Sequence, residues 1–93
     1  MEISEIREKI NKLDNEIIKL IAERLSLSKE VAEYKRKNNL PIRNLEREKE
    51  VLDKCNLKLR ELGINDKEFT EKIVQAIMDK SASMQEEING KNK

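Results

Sequence analysis

Arg24 and Lys35 are cations placed where the surrounding pattern is apolar. They bracket the stretch AERLSLSKEVAEYK, residues 22–35. At 100° per residue, Lys35 lies about 20° around a helix from Arg24, Val31 about 20° to the other side, and Ser28 about 40° away. The two cations are therefore aligned, three turns and about 16 Å apart, on one face. An inward-facing cation without a partner costs several kcal/mol. Two of them with a gap between their tips leave room for a small anion. The same irregularity recurs downstream. Glu48 interrupts an apolar stripe, and Ser81 and Gln85 lie four residues apart beside Met78. The chain has no His, which removes the commonest general base near neutral pH and the commonest zinc ligand. Cations, one carboxylate and one amide suit a small anion that also carries a hydroxyl, held without metal or cofactor.

Each of these residues has a plainer reading by itself. A Lys or Arg in a helix core position often sets register or snorkels to water. The charge run EREKE, with Arg43 and Lys49, reads as a solvated helix face. The joint pattern is what points to a site. Arg7 adds to it. It flanks the same stripe but lies 17 residues, or about 25 Å, from Arg24 along the axis. The two cannot meet on one helix, but they can meet across an antiparallel pair of helices.

The elements that must position these groups are helices. Ile3, Ile6, Ile10, Leu13, Ile17, Leu20, Leu27, Val31 and Tyr34 follow a 3-4 spacing, with Arg24 in the one missing place. Neither Gly nor Pro interrupts the pattern before Pro41, so the first helix is expected from about residue 4 to residue 38. Asn44 is a plausible N-cap for a second helix over about 45–62, with the stripe Leu45, Glu48, Leu52, Cys55, Leu59, Leu62. Gly63 suits the left-handed position after its end. A third helix is expected from near Asn65, where Asn65 and Glu68 can form a capping box. Its apolar side reads Phe69, Ile73, Ala76, Ile77, Met84, Ile88. This gives an all-α domain over residues 1–88, with a loose tail at 89–93.

Composition says how such helices must be assembled. Of the 93 residues, 42% are charged and 2% aromatic, so a lone chain has little apolar surface to bury. A first helix of about 35 residues is about 52 Å long, whereas a compact domain of this size is about 32 Å across. It cannot fit inside a globule of its own making, and a two-fold dimer with the long helices packed together is the simplest closed solution. Net charge is +1, which offers nothing broadly basic for nucleic acid. No apolar run approaches the roughly 18–20 residues of a membrane span. The single Cys55 and the charged N-terminus without an apolar signal region make the cytoplasm the expected location.

The segments IREKINKLD, AERLSLSKEVAEYK, PIRNLEREKE and MDKSASMQ, in this order and at these spacings, resemble the all-helical chorismate mutases. The resemblance covers residues 3–88. It implies an intertwined helical homodimer of three helices per chain, with two sites built from both subunits. It implies the Claisen rearrangement of chorismate to prephenate, the branch step towards Phe and Tyr, without cofactor. Carried across, Arg24 and the partner's Arg7 bind the substrate carboxylates. Lys35 and Gln85 donate to the ether oxygen, and Glu48 accepts from the ring hydroxyl. Arg47 and Ser81 match positions lining the site, and Val31, Val51 and Met78 match its apolar wall. Asn44 stands where some members carry an Asp that helps bind the hydroxyl, and Ala82 where some carry a bulkier apolar residue. Two other readings compete. An isochorismate–pyruvate lyase of the same fold handles a similar dianion. A non-catalytic dimerisation module explains the stripe but not Arg24, Lys35, Glu48 and Gln85 together.

Overall fold

The computed structural model describes residues 1–90 of the chain. They form three helices and, among the described residues, no strand: α1 Ile3–Lys37, α2 Leu45–Glu61 and α3 Lys67–Gly90. The termini follow from local chemistry. α1 ends with Lys35, Arg36 and Lys37 in its last turn, where cations complement the carbonyl end of the helix. Asn39 then takes the left-handed conformation (φ 53°), and the Leu40 N–H closes on the Lys35 carbonyl at 2.8 Å. The following Pro41 keeps the chain from continuing as helix. Asn44 caps α2, its side-chain oxygen accepting the Arg47 N–H at 3.0 Å. Gly63, at φ 96°, ends α2, and the Ile64 N–H reaches back to the Leu59 carbonyl at 2.8 Å.

The start of α3 differs from expectation. The cap is Asp66, whose carboxylate accepts the Phe69 N–H at 3.0 Å, and no Asn65–Glu68 box is needed. A carboxylate at this position satisfies the same orphan N–H and also opposes the positive helix end, so it outcompetes the neighbouring amide. At its other end α3 continues through Asn89 to Gly90, past the expected boundary at residue 88. The rest of the expected tail, 91–93, lies outside the described residues.

α3 packs against both other helices, and α1 and α2 do not pack on each other. Arg24 lies against Met78, Ser28 against Ser81, and Ala32 against Asn89, so α1 and α3 run parallel. The buried face of α3 is Thr70, Val74, Ser81, Ala82 and Gln85. It is rotated from the expected apolar side, leaving Phe69 and Ile73 exposed. Thr70 tolerates complete burial because its hydroxyl donates to the Asp66 carbonyl at 3.0 Å.

The chain measures 56 × 24 × 15 Å, with a radius of gyration of 16.5 Å. A compact chain of this length would have about 12 Å. The excess is the first half of α1, where every residue through Leu20 is exposed. The stripe predicted to be inward-facing is mostly uncovered in the single chain: Leu13 is 56% exposed, Ile17 53% and Leu27 58%. The reason is geometric. α3 covers the side bearing Ser28 and Ala32, and among the described residues no other element is long enough to cover the rest.

Candidate active site

One cavity of about 290 Å³ lies where α1, α2, α3 and the α1–α2 connection meet. Ten of the eleven residues singled out from the sequence line it. α1 contributes Arg24, Val31 and Lys35. Asn44 and α2 contribute Arg47, Glu48 and Val51 beside the cap, and α3 contributes Met78, Ser81 and Gln85. The eleventh, Arg7, is exposed on the projecting half of α1 and does not line the cavity of its own chain. Leu27, Ser28, Ile42, Arg43 and Ala82 complete the lining.

The cations are accessible from the cavity and carry little internal pairing. Arg24 is exposed, its guanidinium 4.0 Å from the Met78 sulfur. Lys35 is half-buried and its ammonium donates to the Ile42 carbonyl. That uses one of three ammonium donors and fixes where the other two point.

Gln85 is only 5% exposed and sits at the end of a hydrogen-bonded chain. Its Nε2 donates to Ser81 Oγ at 3.1 Å, Ser81 Oγ is 2.7 Å from Ser28 Oγ, and the Ser28 hydroxyl donates to the Arg24 carbonyl at 3.4 Å. One Nε2 hydrogen remains free, and the buried Oε1 has no partner. A buried amide with unspent capacity beside a cavity is costly unless something else meets it.

Glu48 is held on the opposite wall. Arg43 grips it with both arms of its guanidinium, Nε to Oε2 at 3.0 Å and Nη2 to Oε1 at 2.5 Å. This hydrogen bonding from Arg43 holds the Glu48 carboxyl below the usual carboxylate range, against the opposing effect of burial. Glu48 therefore stays an acceptor-only carboxylate at neutral pH. Asn44 is constrained as well, because its oxygen already serves the Arg47 N–H. Arg47 pairs with Glu50 at 2.8 Å while still reaching the cavity lining.

The reading of Arg43 as part of a solvated face needs correcting. It is exposed, yet it lines the cavity and joins Glu48 to Asp79. The sequence carried no periodic signal for it or for Ile42, since both lie in a connection. Ser28 was legible by angle, falling on the Arg24–Lys35 face, but serine on a helix breaks no rule that would mark it. Among the described residues no cluster of His, Cys, Asp and Glu could hold a metal ion, and no helix is long and apolar enough to cross a membrane.

The arrangement can bind an anion between Arg24 and Lys35, offers hydrogen-bond donors from Lys35 and Gln85 to the same cavity, and can accept a hydrogen bond from a hydroxyl at Glu48. A family model described as chorismate mutase type II matches residues 6–86. A chorismate mutase of Methanocaldococcus jannaschii is 41% identical over 98% of this chain and 95% of its own length. Bifunctional chorismate mutase/prephenate dehydratases also match. That of Aquifex aeolicus is 45% identical over 57% of this chain and 15% of its own length. That of Escherichia coli K12 is 31% identical over 87% of this chain and 21% of its own. The chain thus spans about a fifth or less of those longer relatives. No solved structure matches it at significant similarity.

Proposed function

Because the chain belongs to the chorismate mutase type II family, we propose that it rearranges chorismate to prephenate in the cavity between its helices, as a cytoplasmic homodimer on the route to Phe and Tyr. The observation that carries this reading is the convergence of Arg24, Lys35, Glu48 and Gln85 on a single cavity of about 290 Å³.

The reaction is one concerted step. The ether C–O bond breaks as a C–C bond forms, and no atom or proton leaves the molecule. No nucleophile or general base is required, which agrees with a chain that has no His. The protein's task is to hold a flexible dianion folded so that its reacting carbons approach, and fixed cations at set spacing do this. Arg24 binds one carboxylate through its planar fork. Arg7 of the partner subunit binds the other. Glu48 accepts from the ring hydroxyl and so orients the ring. As the C–O bond lengthens, negative charge gathers on the ether oxygen. The free Lys35 ammonium hydrogens and the second Gln85 N–H are donors for it, and each such preorganised donor is worth about 2.7–4 kcal/mol in the transition state. Val31, Val51 and Met78 form the apolar wall that lowers the local dielectric around these groups.

The dimer is supported by what the single chain leaves undone. Setting Arg7 of one subunit opposite Arg24 of the other puts the two-fold axis between Asn15 and Glu16. The uncovered stripe of α1, with Leu13 and Ile17 near that axis, then lies along the junction.

The test is a chorismate assay with purified protein and no added metal or cofactor. Prephenate should accumulate as chorismate disappears. If chorismate is unchanged while isochorismate yields salicylate and pyruvate, the chain is a lyase of this fold and the mutase reading is wrong.

A further inference from the structure

The α1–α2 connection does more than join two helices. Two consecutive residues in it each hold a cavity group: the Ile42 carbonyl receives the Lys35 ammonium, and the Arg43 guanidinium grips Glu48 at 3.0 and 2.5 Å. Arg43 also reaches across to α3, donating to Asp79 at 3.1 Å. Asp79 is in turn held by Gln75 Nε2 at 2.9 Å. Between the Leu40 N–H bond to Lys35 and the Asn44 cap of α2, little burial holds the connection, since Pro41 and Arg43 are exposed and Ile42 only half-buried. Arg43, Glu48 and Met78 also line a second hollow of about 270 Å³ on the far side, so the ion pair forms part of the partition between the two.

We propose that Arg43 is a positioning residue that latches the α1–α2 connection to α3 through Asp79 and holds the Glu48 carboxylate at the cavity wall. The inference deepens the function proposed above and rests on it for the role of Glu48. Charge and geometry support it together. The two-point grip fixes both carboxylate oxygens, which a single hydrogen bond could not do. It also keeps Glu48 ionised. Glu48 faces Arg43 from the connection and Asp79 and Gln75 from α3. Arg24 and Lys35 line the same cavity from α1, and Arg47 does so on its own helix. Arg43 has the largest effect of these on the Glu48 carboxyl, and it lowers it, whereas Asp79 opposes ionisation. Asp79 is itself held below the usual carboxylate range by Gln75 first and Arg43 second, so the latch stays charged at both ends.

The sign of the pH effect follows. Removing Arg43 lets the Glu48 carboxyl titrate at higher pH, so the acid limb of kcat/KM moves towards neutral. The test compares Arg43→Gln, Arg43→Lys and Asp79→Asn with wild type. It records kcat/KM against pH for chorismate and follows the Glu48 carboxyl carbon by NMR titration. Arg43→Gln should move the acid limb and the carboxyl titration upward together, with a loss of about tenfold on the limb. Arg43→Lys should restore part of this, being a point charge rather than a fork. Asp79→Asn should move the carboxyl titration slightly the other way, because it removes a negative charge that opposes Glu48 ionisation while leaving the Arg43 grip. Asp79 is 58% exposed and outside the cavity lining, so its replacement leaves the fold intact even if Arg43→Gln does not fold. A Glu48 carboxyl that titrates identically in wild type and variants overturns the inference, as does a loss of turnover equal at every pH. Wild type that leaves chorismate untouched overturns the proposed function instead, and the carboxyl titration still judges the latch.

Discussion

At the scale of single residues, the polar groups of this cavity are oriented by hydrogen bonds from neighbouring side chains. Gln85 is the clearest case. Its amide is oriented by Ser81 and, through Ser81, by Ser28, which is 5% exposed and ends the chain on a backbone carbonyl. If that chain aims the free Gln85 hydrogen at the breaking bond, Ser28→Ala should lower kcat about fivefold and leave KM nearly unchanged, the loss expected from one weakened hydrogen bond. The effect should vanish in a Gln85→Ala background, because the group being aimed is gone. An equal loss in both backgrounds would mean that Ser28 acts by packing alone. These supports were the hardest part of the site to read beforehand. Arg24 and Glu48 stand out by interrupting apolar stripes, Lys35 by its alignment with Arg24, and Gln85 by its spacing from Ser81 beside Met78. Ser28 interrupts nothing, and Arg43 lies in a segment without periodicity, so only folding brings it beside Glu48.

At the scale of elements, the ends of the helices set the geometry of the cavity, and they were the most legible features. Asn44 was recognisable as a cap and Gly63 as a helix terminator because each answers a local requirement of the backbone. The start of α3 was less legible. Asn65 and Asp66 are both competent caps, and the choice between adjacent candidates turns on the better electrostatics of the carboxylate. The buried face of α3 was harder still. Thr70 is fully buried and Phe69 44% exposed, a reversal that hydropathy cannot anticipate. It arises because Thr70 satisfies its own hydroxyl on the preceding turn while Phe69 faces a side that no element of this chain covers. The left-handed Gly63 gives a direct check. At φ 96° any side chain is strained, although nothing lies within 4 Å of the position a Cβ would take. Gly63→Ala should therefore destabilise by about 1–2 kcal/mol through backbone strain alone. Urea denaturation should show a lower midpoint with an unchanged slope, and kcat at saturating substrate should be that of wild type. A neutral or stabilising effect would show that the turn relaxes to a different conformation.

At the scale of the molecule, one chain carries a small core and a long uncovered stripe on α1, and the proposed shared site would draw its missing cation from that same helix. The buried apolar residues among those described are Ala32, Val74 and Ala82, too few for a stable fold. Meanwhile the stripe from Ile3 to Leu20 is exposed over the projecting half of α1. In the proposed dimer, a second copy laid antiparallel along α1 would cover that stripe and at the same time bring its Arg7 to a cavity that already holds Arg24. The two consequences are tied by geometry, so a test of the second is also a test of the first. Arg7→Ala and Arg24→Ala homodimers should each fold and each be nearly inactive, since every site lacks one cation. Unfolded together in equal amounts and refolded, half of the dimers should be mixed. Each mixed dimer carries one site with both arginines intact and one with neither. Activity should then return to about a quarter of the wild-type value per chain. Arginines that act within one subunit would leave every site of the mixed dimers damaged. Refolded mixtures no more active than their parents would then place Arg7 outside the partner's site and remove the reason for the antiparallel register.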